Sequence, residues 1–177
     1  MKWINKRNVL IVITMALALA TSIFILVQAG LDSAKSTEQS GMVVEVIETV
    51  VDTIAPGTIN ETNIEAFSGA VRKIVGHFLL FSVAGFFATW SILLLLENVT
   101  KKSKLWFLNI ATPIGYGILL AVISEVMQLF ASGRSGEFRD VLIDSGGYLL
   151  GAVIIFIILL FIFRKNEKRK QELVVNN

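Results

Sequence analysis

Four long apolar runs dominate the sequence and restrict it to membrane-spanning folds. They cover residues 9–27, 74–96, 105–130 and 141–163. Each is about as long as the ~20 residues that a helix needs to cross the hydrocarbon core of a bilayer. Backbone N–H and C=O groups find no water there, so a spanning run must satisfy them within its own helix. The sequence therefore predicts an all-α membrane protein, with four transmembrane helices in a small bundle.

The composition supports this class and excludes several others. The chain has 54% hydrophobic residues and a mean hydropathy of +0.71, whereas soluble domains contain roughly 45–50% apolar residues. The net charge of +2 gives no reason to expect a nucleic-acid partner. Without Cys there is no disulfide, thiolate metal site or Cys nucleophile. The single His excludes a multi-His metal site, and we expect no metal and no other cofactor.

The polar segments between the apolar runs define five expected regions. These are a short N-terminus (1–8), transmembrane helix 1 (9–30), an acidic loop (31–70), a core with transmembrane helices 2–4 (71–163) and a basic tail (164–177). Helix 1 could instead be a signal peptide cleaved near Ala29, but its apolar run exceeds the usual ~7–15 residues of a signal core. We therefore expect an uncleaved helix.

The acidic loop contains a further helical pattern. Apolar residues recur at helical spacing from Val43 to Ile54, with acids between them, which predicts a short extracytoplasmic amphipathic helix that ends before Pro56. Helices that lie in a membrane surface usually carry Lys or Arg on their polar face. We therefore expect this acidic helix to cover the bundle instead. Thr62 and Glu65 match a capping box and predict the start of the next helix.

The distribution of positive charge predicts the orientation in the membrane. Of 16 Lys and Arg residues, eleven lie in the N-terminus, the loop between helices 2 and 3, and the tail. The other five belong to the opposite side. Because Lys and Arg accumulate on the cytoplasmic side, we expect a multi-pass plasma-membrane protein with both termini in the cytoplasm.

This topology places polar residues of three separate segments at one outward face. The candidate site residues are Lys73, His77, Glu125, Gln128, Arg134, Asp140 and Asp144. Ionisable residues in apolar segments are costly, and they usually face a partner, a water-filled cavity or a substrate. Pairs such as Lys73 and His77 lie on one side of a helix because they are four residues apart. The pattern predicts a polar pocket that opens outward.

Two glycines follow the acids of helix 4. Gly147 and Gly151 have the spacing of small residues that lets membrane helices approach closely. They predict that helix 4 packs against a neighbour just below Asp144.

The set of motifs resembles the VanZ-like family of integral membrane proteins. It consists of Lys73-x3-His77-Phe78, Glu125-x2-Gln128, Arg134, Asp140 and Gly147-x3-Gly151, and it spans about residues 71–151. The chain departs from the family pattern at Asp144, where the family has Asn, and near Phe81, where it often has Tyr. The resemblance implies a bacterial cell-envelope protein that reduces sensitivity to glycopeptide antibiotics such as teicoplanin. It implies no established reaction.

Two interpretations stay open for most candidate residues. His77 could act as a general acid or base, or be a hydrogen-bonding residue between packed helices. Glu125 could be a base, bind a cation, or form an ion pair with a nearby Lys or Arg. Arg134 could bind the phosphate of a lipid head group, whereas Arg139 is more simply a loop charge. Asp140 could cap helix 4.

Three functional hypotheses follow. In the leading one, the outward pocket binds an anionic lipid head group or a lipid-linked cell-wall precursor, with membrane lipids as the partners. In the second, the protein is an enzyme acting on a lipid-linked substrate, with Glu125 and His77 as an acid/base pair. The third, a small transporter or channel, is weaker because no inverted repeat is evident.

Overall fold

The computed structural model describes residues 6–102, 105 and 107–175, and every regular element in these ranges is helical. In chain order the elements are α1 (Lys6–Ala29), α2 (Ser33–Ile54), α3 (Ile64–Val71), a π-helical segment (Arg72–Leu79), α4 (Leu80–Lys102), α5 (Leu108–Gln128) and α6 (Phe138–Val175). Lys2 and Lys104, which contributed to the charge distribution above, lie outside the described residues.

Four helical stretches in the described part are long and apolar enough to cross a membrane. They are Lys6–Ala29, Ile64–Glu97, Leu108–Gln128 and Phe138–Asn166. The second stretch joins α3, the π-helical segment and most of α4 into one span. The predicted all-α membrane protein with four transmembrane helices is confirmed.

The first two spans pack side by side, with the start of α1 against the end of the second span. Near the start of α1, the Arg7 guanidinium lies 3.6 Å from the carboxylate of Glu97, near the end of the second span. The buried core between the helices contains Phe81, Leu120 and Tyr148 together with several alanines. Small side chains let membrane helices approach closely. Many Leu, Ile and Val side chains remain exposed on the outer faces, as expected where lipid is the solvent.

The contact between α6 and the second span is close enough to require glycine, and we call it the glycine seam. A Cβ atom at Gly147 would clash with the carbonyl oxygen of Phe78, and one at Gly151 with the carbonyl oxygen of Ser82. From the other side, a Cβ at Gly85 would clash with the backbone of Tyr148. The two helices therefore meet backbone to backbone. Since His77 precedes Phe78, the seam also brings α6 close to this histidine.

The second span begins close to the expected position, but not through the expected capping box. The Thr62 hydroxyl donates to the side-chain oxygen of Asn60, and Asn63 occupies the N-cap position without a side-chain cap bond. The Asn63 side-chain oxygen accepts instead from the backbone N–H of Asn60. Asn side chains compete for local backbone groups in this way. The capping-box prediction at Thr62 and Glu65 is wrong for this reason.

The amphipathic helix is longer than expected and covers the bundle only in part. It begins at Ser33, well before Val43. Val44 is buried, whereas a stripe of apolar residues four positions apart is exposed, formed by Met42, Val46, Val50 and Ile54.

The last helix is also longer than expected. It continues through the basic region to Val175 instead of ending near Phe163. No Gly or Pro interrupts residues 164–175, and Lys, Arg, Glu and Gln are favourable helix formers.

Candidate functional site

The π-helical segment supplies the first group of site residues. Its i→i+5 hydrogen bonds widen the turn relative to an α-helix, and π-helical turns occur frequently at functional sites. It carries Arg72, Lys73 and His77. All residues from Val71 to His77 except Ile74 line one cavity. No pattern in the sequence indicated this backbone form.

The cavity has a volume of about 520 Å³ and lies between α1, α2, the π-helical segment and α5. Its charged lining side chains are Arg72, Lys73 and Arg134, and its lining among the described residues includes no Asp or Glu. The first turns of α2 add hydroxyl groups, those of Ser33, Ser36, Thr37 and Ser40. The cavity is therefore basic and rich in hydrogen-bond donors.

Arg134 lies in the loop between α5 and α6, and its side chain connects two parts of the cavity wall. One guanidinium nitrogen donates to the carbonyl oxygen of Gln28 at 3.0 Å, at the end of α1. Another donates to the side-chain oxygen of Gln128 at 2.8 Å. Burial lowers the pKa of the Arg134 guanidinium, while the charges of Glu125 and Asp140 act in the opposite direction. Both bonded acceptors are uncharged, so no carboxylate neutralises Arg134 by direct contact within the described chain.

Glu125 is buried beneath the same loop, with 5% of its surface exposed. Its Oε1 accepts a hydrogen bond from the Gln128 amide at 2.6 Å, and its Oε2 accepts one from the backbone N–H of Glu137 at 3.0 Å. Gly136 permits this approach, because a Cβ there would lie 2.7 Å from the carbonyl oxygen of Glu125. The ion pair with Lys or Arg considered for Glu125 is not formed among the described residues, and its two oxygens accept instead from Gln128 and from the loop backbone.

Lys73 pairs with the acids at the start of α6. Its Nζ lies 2.7 Å from Asp140 Oδ1 and 3.5 Å from Glu137 Oε2. Asp140 is in the first turn of α6, but its carboxylate binds Lys73 and not a backbone N–H of the helix. The capping role considered for Asp140 is therefore not observed. Its ion pair holds the second span against α6.

His77 and Asp144 form a pair between the same two helices. His77 Nδ1 lies 3.0 Å from Asp144 Oδ1. Asp144 has no exposed surface, and its Oδ2 is a buried atom without a hydrogen-bond partner in the described chain. One potential ligand atom each of His77, Glu125 and Asp140 lie within 4.8 Å of one another. These three are the described residues placed to hold a metal ion.

The structure brings all seven candidate residues from the sequence into one connected group at one end of the bundle. Arg139 is exposed and outside the group. The sequence interpretation missed Glu137 and the hydroxyls of α2, and it placed Arg72 at the same membrane face without including it among the site residues. Arg72 adjoins Lys73, and Ser33, Ser36, Thr37 and Ser40 recur at helical spacing. These two patterns in the sequence could have identified Arg72 and the hydroxyl residues of α2.

Comparison with known proteins supports a family assignment. The model of the VanZ/LLP1 family matches residues 9–162. The match includes the first helix and the acidic loop, so it is wider than the region of about residues 71–151 that carries the motifs. No curated protein and no solved structure matches the sequence. The chain therefore belongs to the VanZ/LLP1 family, and this membership suggests a cell-envelope protein linked to glycopeptide resistance.

Proposed function

We propose that this protein binds a phosphate-bearing lipid head group, of an anionic lipid or a lipid-linked cell-wall precursor, in the basic cavity. By doing so it lowers the susceptibility of a bacterial cell to glycopeptides such as teicoplanin. In this proposal it resides in the plasma membrane with both termini in the cytoplasm, and the cavity faces outward. The observation that carries the proposal is a cavity lined by three cationic side chains, without a described carboxylate in its wall.

Arg72 is the strongest single argument for an anionic ligand. Its side chain lines the cavity, and its Nε is buried without a hydrogen-bond partner among the described residues. Leaving a buried donor of a charged group unsatisfied costs about 1–3 kcal/mol or more. A phosphate oxygen would satisfy it, because the guanidinium fork matches phosphate geometry. Arg72 is therefore free to bind a ligand without giving up a structural contact.

The start of α2 adds a second feature suited to phosphate. The hydroxyls of Ser33, Ser36 and Thr37 line the cavity and have no partners among the described residues. The N-terminus of a helix carries partial positive charge, which favours anions. The amphipathic helix thus contributes to binding at its polar start.

The size and the apolar part of the cavity fit a lipid. A volume of about 520 Å³ falls within the roughly 300–1,000 Å³ typical of ligand pockets. Phe24, Leu80 and Phe81 line the cavity beside the charged groups. A head group can therefore sit among the cations while the first carbons of its chains contact these side chains.

Binding of a short-chain phosphatidylglycerol to purified protein in detergent tests the proposal. We expect saturable binding that Arg72→Gln weakens by about tenfold, which corresponds to ~1.4 kcal/mol for the loss of one charge-assisted contact. Arg139→Gln is the matched control, since Arg139 is an exposed arginine outside the cavity, and it should leave the affinity unchanged. Phosphatidylcholine should bind far more weakly. Equal affinity of the wild type and Arg72→Gln would contradict the proposed role of the cavity.

The cellular consequence needs a separate measurement. In a host lacking this gene, wild type and Arg139→Gln should raise the teicoplanin concentration needed to stop growth, and Arg72→Gln should not. The three proteins must be present at equal membrane levels, so that instability is not mistaken for loss of function. If the wild type gives no protection, the link to glycopeptides is wrong for this protein even where lipid binding stands.

A second candidate function is catalysis on a lipid-linked substrate. The observation that favours it is the His77 and Asp144 pair, which leaves Nε2 of His77 available beside the cavity. Such a ring nitrogen can exchange a proton with a bound substrate. Product formation from phospholipids or lipid-linked precursors by the wild type, and its loss in His77→Gln, would support catalysis. If lipid binds and no product forms, only the binding function is supported.

A further inference from the structure

Three side chains from three different elements converge beside the cavity. His77 comes from the π-helical segment, Glu125 from α5 and Asp140 from α6, and one potential ligand atom of each lies within 4.8 Å of the other two. We propose that these residues bind a divalent cation. Imidazole suits ions such as Zn²⁺, and carboxylate oxygens suit ions such as Mn²⁺. The mixed set therefore fits either of these two.

The spacing requires only a small closing movement. Ligand atoms that bind one ion at about 2.1 Å each lie no more than about 4.2 Å apart. The 4.8 Å limit of the observed group is close to this value, and rotation of carboxylate side chains covers the difference. Glu125 and Asp140 are both buried, so the ion would be bound out of bulk water.

The pairing of His77 with Asp144 is the second, independent observation. His77 Nδ1 contacts Asp144 at 3.0 Å, which leaves Nε2 as the nitrogen that can ligate. A histidine that binds a metal almost always donates its other N–H to a carboxylate or carbonyl, which fixes the ring orientation. Asp144 is completely buried with one unpartnered oxygen, and its carboxylate is directed at the ring of a proposed ligand.

The ligand atoms are available despite their other contacts. Lys73 occupies Asp140 Oδ1, so Oδ2 remains for the ion. Each Glu125 oxygen accepts one hydrogen bond and keeps a second lone pair.

The charge balance of the group also favours a divalent cation. Three buried carboxylates, those of Glu125, Asp140 and Asp144, lie in the group with two permanently charged cations, Lys73 and Arg134. Buried charges are normally paired or bound to metals. An ion of charge +2 would offset the buried negative charge that these two cations leave uncompensated. The proposal stands whether or not the cavity binds lipid.

The experiment measures the metal content of the full-length protein. Purified protein is stripped with a chelator, incubated with Zn²⁺ or Mn²⁺, separated from free ion and analysed by elemental mass spectrometry. We expect about one ion per chain for the wild type. His77→Gln should lower the affinity by at least about 100-fold, and Asp144→Asn by about 10–100-fold, the range seen when the partner of a ligating histidine is changed. Less than 0.1 ion per wild-type chain would overturn the proposal without reference to any variant.

Two controls make the assignment specific. Glu137→Gln changes an acid at the exposed edge of the group that is not among the proposed ligands, and it should bind the ion as the wild type does. With Mn²⁺, pulsed electron paramagnetic resonance should show a nitrogen coupling that disappears in His77→Gln. Persistence of that coupling in His77→Gln, or equal ion affinity of this variant and the wild type, would exclude His77 as a ligand. Repeating the phosphatidylglycerol titration with stripped protein separates this result from the proposed lipid binding.

Discussion

Replacing Gly147 and Gly151 together by alanine is expected to separate α6 from the second span and to leave little folded protein in detergent. At both positions the added methyl group would clash with backbone atoms of the second span, at Phe78 and at Ser82. Backbone atoms cannot rotate away as a flexible side chain does. Overpacking of this kind costs roughly 1–3 kcal/mol per site, and the two sites lie one turn apart on the same seam. The measurement is the midpoint of thermal unfolding, followed by size-exclusion chromatography with fluorescence detection.

Gly146→Ala is the matched control for the glycine seam. A Cβ at Gly146 would meet only the Phe78 ring edge at 3.8 Å, an ordinary contact distance. Alanine is a better helix former than glycine by up to about 1 kcal/mol. The neighbouring substitution should therefore raise the midpoint slightly, so the sign of the effect changes between adjacent glycines. A double variant at Gly147 and Gly151 that is as stable as the wild type would show that the helices do not meet as described.

Arg134→Ala is expected to destabilise the end of the bundle that holds the polar site by about 3–6 kcal/mol. The substitution removes two charge-assisted hydrogen bonds, to Gln28 and to Gln128, and such bonds contribute about 1.5–3 kcal/mol each. It also removes the cation that faces the buried acids, and it frees the Gln128 side chain that binds Glu125. Chemical denaturation followed by tryptophan fluorescence should show a lower midpoint than in the wild type.

Arg139→Ala provides the control for this loss of stability. Arg139 is exposed and has no contact with the site group, so its removal should change the stability by less than about 0.5 kcal/mol. Arg134→Lys should recover only part of the stability, because an ammonium group cannot span both acceptors with a planar fork. If Arg134→Ala and Arg139→Ala were equally stable, the two hydrogen bonds of Arg134 would contribute nothing measurable.

The glycine seam and the polar site are linked by one structural relation. Gly147 contacts the carbonyl of Phe78, and the adjacent residue His77 faces Asp144, which precedes Gly147 by nearly one turn. A change of helix spacing at the seam would therefore move the two partners of this pair apart. For this reason, variants at the seam are poor tests of the site, and variants such as Arg72→Gln are better ones.

Periodicity, composition and turn signals in the sequence determined the four spans and the presence of an amphipathic helix. Apolar runs of 19 or more residues leave no alternative to helices in a bilayer. The same local rules gave the positions of Lys73, Glu125 and Asp140 near the ends of their helices. The capping-box prediction depended on the side chain of Thr62. It was wrong because the hydroxyl of Thr62 donates to the side chain of Asn60 instead.

Only the tertiary structure decided the partners of the charged residues. The sequence allowed Glu125 to pair with any of several cations. In the structure, Gly136 lets the loop approach closely enough for a backbone N–H to bind the Glu125 carboxylate. Lys73 pairs instead with Asp140, 67 positions away, and the π-helical turns that place Lys73, Arg72 and His77 on one cavity carry no periodicity signal of their own. Helix formation depends on neighbours in sequence, whereas charge pairing depends on distances between helices, which are set by close packing at glycines from separate spans.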